Sequence, residues 1–461
     1  MSSPTITREQ PLHIVFFPSP NMGHLTPFLR LAALLASRDC KITLITTTPN
    51  PCAEDSALIS TFLTCHPHVK TLELQILHEN SFNSSVSDDA FILQVNAMNR
   101  SVHLLPPLLS SLPQPISAIF SDFVVSATLP QITASLNIPI YIVSTTSARC
   151  FSMVAYLPTL LSNFPTKLKQ GFGEIEIPGL ASIPRSIIPP SWLDDSVSNR
   201  LLRDCLVPNA KALSEVQGLL LNSFNWFEQE TIGALLDGKS LSDLPPLYPI
   251  GPLEPYELEK AHGFPWMDQQ TNESVVYVNF GLRTTLSKDQ TKELGEGLVR
   301  SGYPFLWVLR PNSKDESDAL FLEKITKDKG MVIRELVNQP GILAHPAIGG
   351  FINPCEWVSV TDAVREGVPI LAWPQHGDHK MNAEVVEKAG TGVWVKSWGS
   401  GGEKLVRGEE IGERVKQLMG DKCLRGRARE VGSKARAAFA VGGSSENALR
   451  GVIEMLKKRE G

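Results

Sequence analysis

Short apolar runs alternate with stretches of helical period along this chain, regularly enough to name a fold class. Residues 13–17 (HIVFF) suffice for one buried strand, Phe28, Leu31 and Leu35 recur on one face over 27–36, and residues 41–47 (KITLITT) read as the next strand. Strand, helix and strand at this spacing form a βαβ unit and so start a parallel sheet. The same rhythm predicts strands at 118–120, 138–143 and 219–222 and helices at 126–136 and 228–236, with Asp122 just past the end of its strand.

Residues 244–265 (LPPLYPIGPLEPYELEKAHGFP) are dense in proline and glycine, the signature of a linker. A second series follows, with strands at 274–280, 305–309, 330–333 and 370–373 and a helix at 288–302. The expectation is an α/β protein of two doubly wound parallel sheets whose strand C-ends face a shared cleft, divided into residues 1–245, a linker at 246–270, and residues 271–461. The tail from 409 to 458 is helical, and its Lys- and Arg-rich part at 422–436 reads as a solvated helix face.

Residues 349–379 (GGFINPCEWVSVTDAVREGVPILAWPQHGDH) read as strand, turn, helix and strand, with the turn at Asn353-Pro354-Cys355-Glu356 and Ser359 and Asp362 at capping-box spacing in the helix. Such a turn offers free backbone N–H groups and a positive helix end to a phosphate. Here Pro354 has no N–H to donate, and Glu356 and Asp362 put carboxylates where an anion would bind. The site follows a nucleotide-binding plan and is poorly suited to a diphosphate.

Bulk properties narrow the classes. Apolar content of 42% and charged content of 20% are ordinary for a globular protein, and 461 residues exceed one ordinary core. The net charge of -5, without a basic stripe, gives no support to a nucleic-acid or membrane-surface role. Seven scattered cysteines suggest a reducing compartment. With no leader pattern at MSSPTITREQP and no apolar run of membrane-span length, the expectation is a cytoplasmic protein.

Two residues stand out as chemistry. His24, between the first strand and its helix, is placed to act as a base near neutral pH, against the plainer reading of a solvated loop histidine. Asp122, at a strand end in the same half, is the residue type that holds an imidazole in one tautomer, against the plainer reading of a helix cap. Neither Cys65-His66-Pro67-His68 nor His376-Gly377-Asp378-His379 has a second half at metal-site spacing, so no metal is expected. GxGxxG, Walker and GxSxG motifs are absent.

The segments PSPNMGHLTPFLRLAALL, MNRSVHLLPPLLSSL, VPNAKALSEVQGLLLNSFNWFE, LPPLYPIGPLEPYE and SVVYVNFGLRTTLSKDQ, with the box from Leu336 to His379, resemble plant UDP-dependent glycosyltransferases of the GT-B fold over the whole length of the chain. Among them the chain is most similar to flavonoid C-glycosyltransferases. The resemblance implies an acceptor pocket in the N-terminal domain, a donor pocket in the C-terminal one, a last helix packed back on the N-terminal domain, and His24 as base with Asp122 as partner. In C-glycosylating members the base deprotonates a phenol so that a ring carbon attacks the anomeric carbon.

Within the box, Gln339, His345, Trp357, Ser359 and Asp378 match the family's donor residues. The departures fall on nucleotide contacts: Leu336 replaces the stacking tryptophan, Pro354 a histidine, Glu356 a glycine, Val358 an asparagine, Asp362 the ribose-holding glutamate and His379 the final glutamine. Outside the box, Asn279 and Leu282 replace serines. Each lost phosphate contact costs on the order of 1.5–3 kcal/mol.

Three readings follow. The first is acid–base chemistry by His24 and Asp122 on a phenolic substrate (cyclisation, dehydration or isomerisation) without sugar or certain cofactor, with Glu356, Asp362 and His379 as available extra groups. The second is UDP-glucose-dependent C- or O-glucosyl transfer. The third is a silent binding or scaffold protein that interacts with other pathway enzymes.

Overall fold

The structure, a computed structural model, describes residues 10–50, 52–77, 90–163, 173–193, 200–238, 240–260, 264–281, 283–309, 321, 330–335 and 337–460. Seven strands form the first sheet: β1 (His13–Phe17), β2 (Lys41–Thr48), β3 (Lys70–Gln75), β4 (Ala118–Asp122), β5 (Ile140–Ser144), β6 (Gly218–Leu221) and β7 (Leu247–Pro249). Their spatial order is β3-β2-β1-β4-β5-β6-β7, and every pairing is parallel. Six strands form the second: β8 (Val275–Asn279), β9 (Phe305–Val308), β10 (Gly330–Ile333), β11 (Ile348–Asn353), β12 (Ile370–Ala372) and β13 (Gly392–Trp394), in order β10-β9-β8-β11-β12-β13 and again all parallel. Burial of both faces explains the continuous apolar runs of β1, β5 and β6.

In each sheet the order reverses beside the first strand, between β1 and β4 and between β8 and β11. Ligands of open parallel sheets bind at such reversals, outside the strand C-ends. Five helices matter for the site: α1 (Met22–Ala36), α2 (Gln339–Leu343), α3 (Trp357–Glu366), α4 (His379–Lys388) and α5 (Ser444–Glu460). Leu449, Val452 and Leu456 of α5 lie in one core cluster with Ile14, Phe16 and Phe28.

Several boundaries differ from expectation. Helix α1 starts five residues before Pro27, because Asn21 accepts from the Gly23 N–H and caps the first turn; His24 therefore sits on that turn. The expected helix at 126–136 is broken into short 3₁₀ and α turns, with Pro130 near the start of one and Asn137 in the left-handed region at the end. Asp122 closes β4 itself. Ser359 and Asp362 form no capping box: Glu356 occupies the N-cap of α3, makes no side-chain cap, and leaves both residues inside the helix. The proline-rich stretch begins with β7, an edge strand of the first sheet.

Candidate functional site

Helix α1 leaves the C-end of β1 and β4 ends next to it, so His24 and Asp122 meet at the first reversal. His24 Nδ1 lies 2.9 Å from Asp122 Oδ2. A carboxylate only accepts, so Nδ1 carries the hydrogen and Nε2 keeps its lone pair. Asp122 is 1% exposed and also accepts from Ser19 Oγ and the Val124 N–H. Thr145 Oγ1 is 3.2 Å from the same imidazole nitrogen, and the Phe91 ring packs 4.9 Å from the imidazole. Burial alone would depress the imidazole, but the charge and hydrogen bond of Asp122 outweigh it and raise its pKa above the ordinary 6.5. Burial opposes ionisation of Asp122 as well, yet the His24 charge and the hydrogen bonds hold it below the usual carboxylate range.

A second group joins the two halves of the chain. Arg30 of α1 donates through Nη1 to Asp362 Oδ1 of α3 at 2.6 Å and through Nε to Glu259 Oε2 at 3.0 Å. The Arg30 and Asp362 side chains are each 2% exposed. Gln339, first residue of α2, donates to Ser359 Oγ at 3.1 Å and to Asp362 Oδ2 at 3.2 Å, and accepts from Asn279 Nδ2 at 3.0 Å. Gln339, Ser359 and Asp362 thus come together, with every one of them bonded to another side chain.

Glu356 lies at the second reversal, after β11. Cys355 before it has φ of 68°, a left-handed conformation unusual for a side chain larger than glycine, and its N–H is held by Asn353 Oδ1 at 2.7 Å. The turn aims Glu356 across the cleft. Its Oε1 fills the space a Cβ on Gly23 would need, and its Oε2 lies 3.2 Å from where a Cβ on Gly281 would stand, so glycine at both positions admits the carboxylate. Burial first, and then the Asp378 charge, raise the Glu356 carboxyl above its ordinary value, against opposing effects of Arg283 and His24.

The other expected positions separate. Asp378, before α4, accepts from Thr146 Oγ1 and from Asn382 Nδ2, bridging toward β5. His379 Nδ1 accepts from the Gln375 N–H at 3.3 Å, and burial with His376 and Arg283 nearby pushes its pKa well below 6.5. Trp357 is buried and donates to the Asn222 carbonyl at 2.8 Å, a contact to the first sheet's side of the chain. His345 bonds Asp268 and the Ala347 N–H, apart from the others. Pro354 is buried and Val358 half-buried; Leu282 and Leu336 lie outside the described residues.

Sequence reasoning missed Arg30, Glu259, Thr145, Thr146 and Ser19. Arg30 alone left a signal, as a charge two residues from Phe28 and one from Leu31 within an apolar helix. The described residues contain no cluster of His, Cys, Asp or Glu fit for a metal ion, and no helix among them is long and apolar enough to cross a membrane.

The family model for UDP-glucoronosyl and UDP-glucosyl transferase matches residues 260–422. UDP-glycosyltransferase 708G2 of Citrus unshiu is 41% identical over 96% of both chains. The chain belongs to the UDP-glycosyltransferase family. UDP-glycosyltransferase CGT of Oryza sativa subsp. indica is 37% identical over 95% of this family member and 94% of its own length. Among solved structures, LpCGTa in complex with UDP superposes with TM-score 0.84 at 36% identity, covering 97% of this chain and 99% of that one. Phytolacca americana UGT2, complexed with UDP-2fluoro-glucose and pterostilbene, superposes with TM-score 0.82 at 26% identity over 96% of this chain and 99% of that one. These likenesses make the two facing sheets the GT-B fold.

Proposed function

We propose that this UDP-glycosyltransferase family member binds a small phenolic compound against the 1–245 half, and that His24, oriented by Asp122, takes its proton. On this reading the 271–461 half, which plays the donor part in the family, no longer receives a sugar nucleotide, and the chemistry is cyclisation, dehydration or isomerisation. One observation carries the second part: the Glu356 carboxylate lies against Gly281 and Gly23, at the helix end a diphosphate would need. The side chain takes space a diphosphate would fill, and repels it wherever the carboxyl ionises. The Arg30 bond to Asp362 supports the same reading, since it engages the carboxyl that stands where the family holds ribose.

A second reading, UDP-glucose-dependent C- or O-glucosyl transfer, has the relatives on its side. The named ones are UDP-glycosyltransferases, two of the structures contain UDP or a UDP-sugar analogue, and none is named a cyclase, dehydratase or isomerase. To that extent the comparisons favour transfer, while the cleft geometry favours the sugar-free reading. Calorimetry with UDP and UDP-glucose decides. Millimolar or absent binding is expected; micromolar binding would overturn the first reading and leave transfer in its place.

A further inference from the structure

Of the ionisable residues that replace family donor contacts, Asp362 is held by Arg30, and His379 accepts from backbone N–H groups at Nδ1; both are buried. Glu356 is different. Its side chain does not cap the helix, its carboxyl takes no hydrogen bond from a described residue, and it presses against Gly23, the neighbour of His24. The charged and titratable groups around it are Asp378, Arg283 and His24. The cleft therefore carries an imidazole held by Asp122 from the β1/β4 side and a carboxyl brought in from β11 on the other.

We propose that Glu356 is the general acid of this cleft, acting opposite the His24 base, and that the pair removes water from a phenolic β-hydroxy carbonyl compound. The proposal rests on the sugar-free reading above and names its substrate class. Isomerisation needs only one group that takes and returns a proton. Elimination of water needs two, because hydroxide is a poor leaving group unless protonated as it departs. His24 Nε2 takes the hydrogen beside the carbonyl as a proton, and the electron pair of that C–H bond forms the new C=C bond. The C–O bond at the next carbon breaks, and Glu356 gives its proton to the departing oxygen, which leaves as water. His24 then releases its proton to solvent and Glu356 regains one, so the step requires no co-reactant. Burial beside Asp378 keeps the Glu356 proton in place to higher pH than an ordinary glutamate would.

The test follows two signals in deuterated water with one probe, a β-hydroxy ketone carrying a 2-hydroxyphenyl group: exchange of the hydrogen beside the carbonyl, and formation of the enone. The wild-type protein should show both. Glu356→Gln should keep exchange within about threefold and lose enone formation by about 100-fold. His24→Ala should lose both. A Glu356→Gln variant that forms enone at the wild-type rate overturns the acid while leaving the base in place, and one that loses exchange along with elimination reduces Glu356 to a structural role. A wild-type protein that shows neither signal overturns the sugar-free reading itself.

Discussion

The guanidinium of Arg30 and the carboxylate of Asp362 meet at 2.6 Å with both side chains 2% exposed, tying the first helix of one sheet to a helix of the other. Removing one partner from a buried pair strands the other charge, a loss of about 3–5 kcal/mol. Arg30→Ala should therefore lower the urea midpoint sharply. The double variant Arg30→Met, Asp362→Met leaves only Glu259 without its partner and should lie closer to the wild type than Arg30→Ala. If Arg30→Ala unfolds with the wild-type midpoint, the pair does not join the halves in solution.

Because Asp122 raises the His24 pKa, proton abstraction should increase with pH through a midpoint above the ordinary 6.5. Asp122→Asn removes the upward influence and leaves burial, so the midpoint should fall while the rate drops by about 100-fold or more. Rates of substrate deuterium exchange across pH measure both. An unchanged midpoint in Asp122→Asn would dissolve the partnership.

The same pair sets a stability window. A depressed Asp122 contributes stability above the ordinary aspartate pKa of about 3.9 and loses it as pH falls; a raised His24 contributes fully below about 6.5 and loses it as pH rises through its folded value. Thermal unfolding of Asp122→Asn should show its largest deficit between those limits and a smaller one on either side.

Glu356→Gly should admit a diphosphate more readily than the wild type, and adding Leu336→Trp, Pro354→His and Val358→Asn should strengthen UDP binding further. Calorimetry should show at least a tenfold gain for the single change, which corresponds to about 1.4 kcal/mol. No gain in the quadruple variant would place the obstacle elsewhere, in the Arg30–Asp362 contact.

Trp357 matches a family donor residue, yet its indole N–H is directed to the Asn222 carbonyl. Trp357→Phe should cost about 1–3 kcal/mol in folding, because a buried carbonyl loses its donor. Activity per folded molecule should stay near wild type, measured with the same exchange assay.

The parallel sheets were legible because strands buried on both faces have continuous apolar centres, as residues 14–17 and 275–278 do. His24 and Asp122 were legible because both follow or end such strands. Ser359 and Asp362 misled, since capping-box spacing recurs inside helices and only the position of Glu356 shows which turn comes first. The partners of Arg30 and the approach of Glu356 to Gly23 were not legible: each depends on how the two halves of the chain face one another, and sequence spacing carries no information about residues 229 or 332 positions apart.

The final helix supplies Leu449, Val452 and Leu456 to the core that Ile14, Phe16 and Phe28 begin. A ribosome making this chain releases the first strand more than four hundred residues before those partners exist. The N-terminal sheet must therefore wait, with part of its apolar surface uncovered, until α5 has been made, and that interval is when the protein is most dependent on chaperones and most exposed to aggregation.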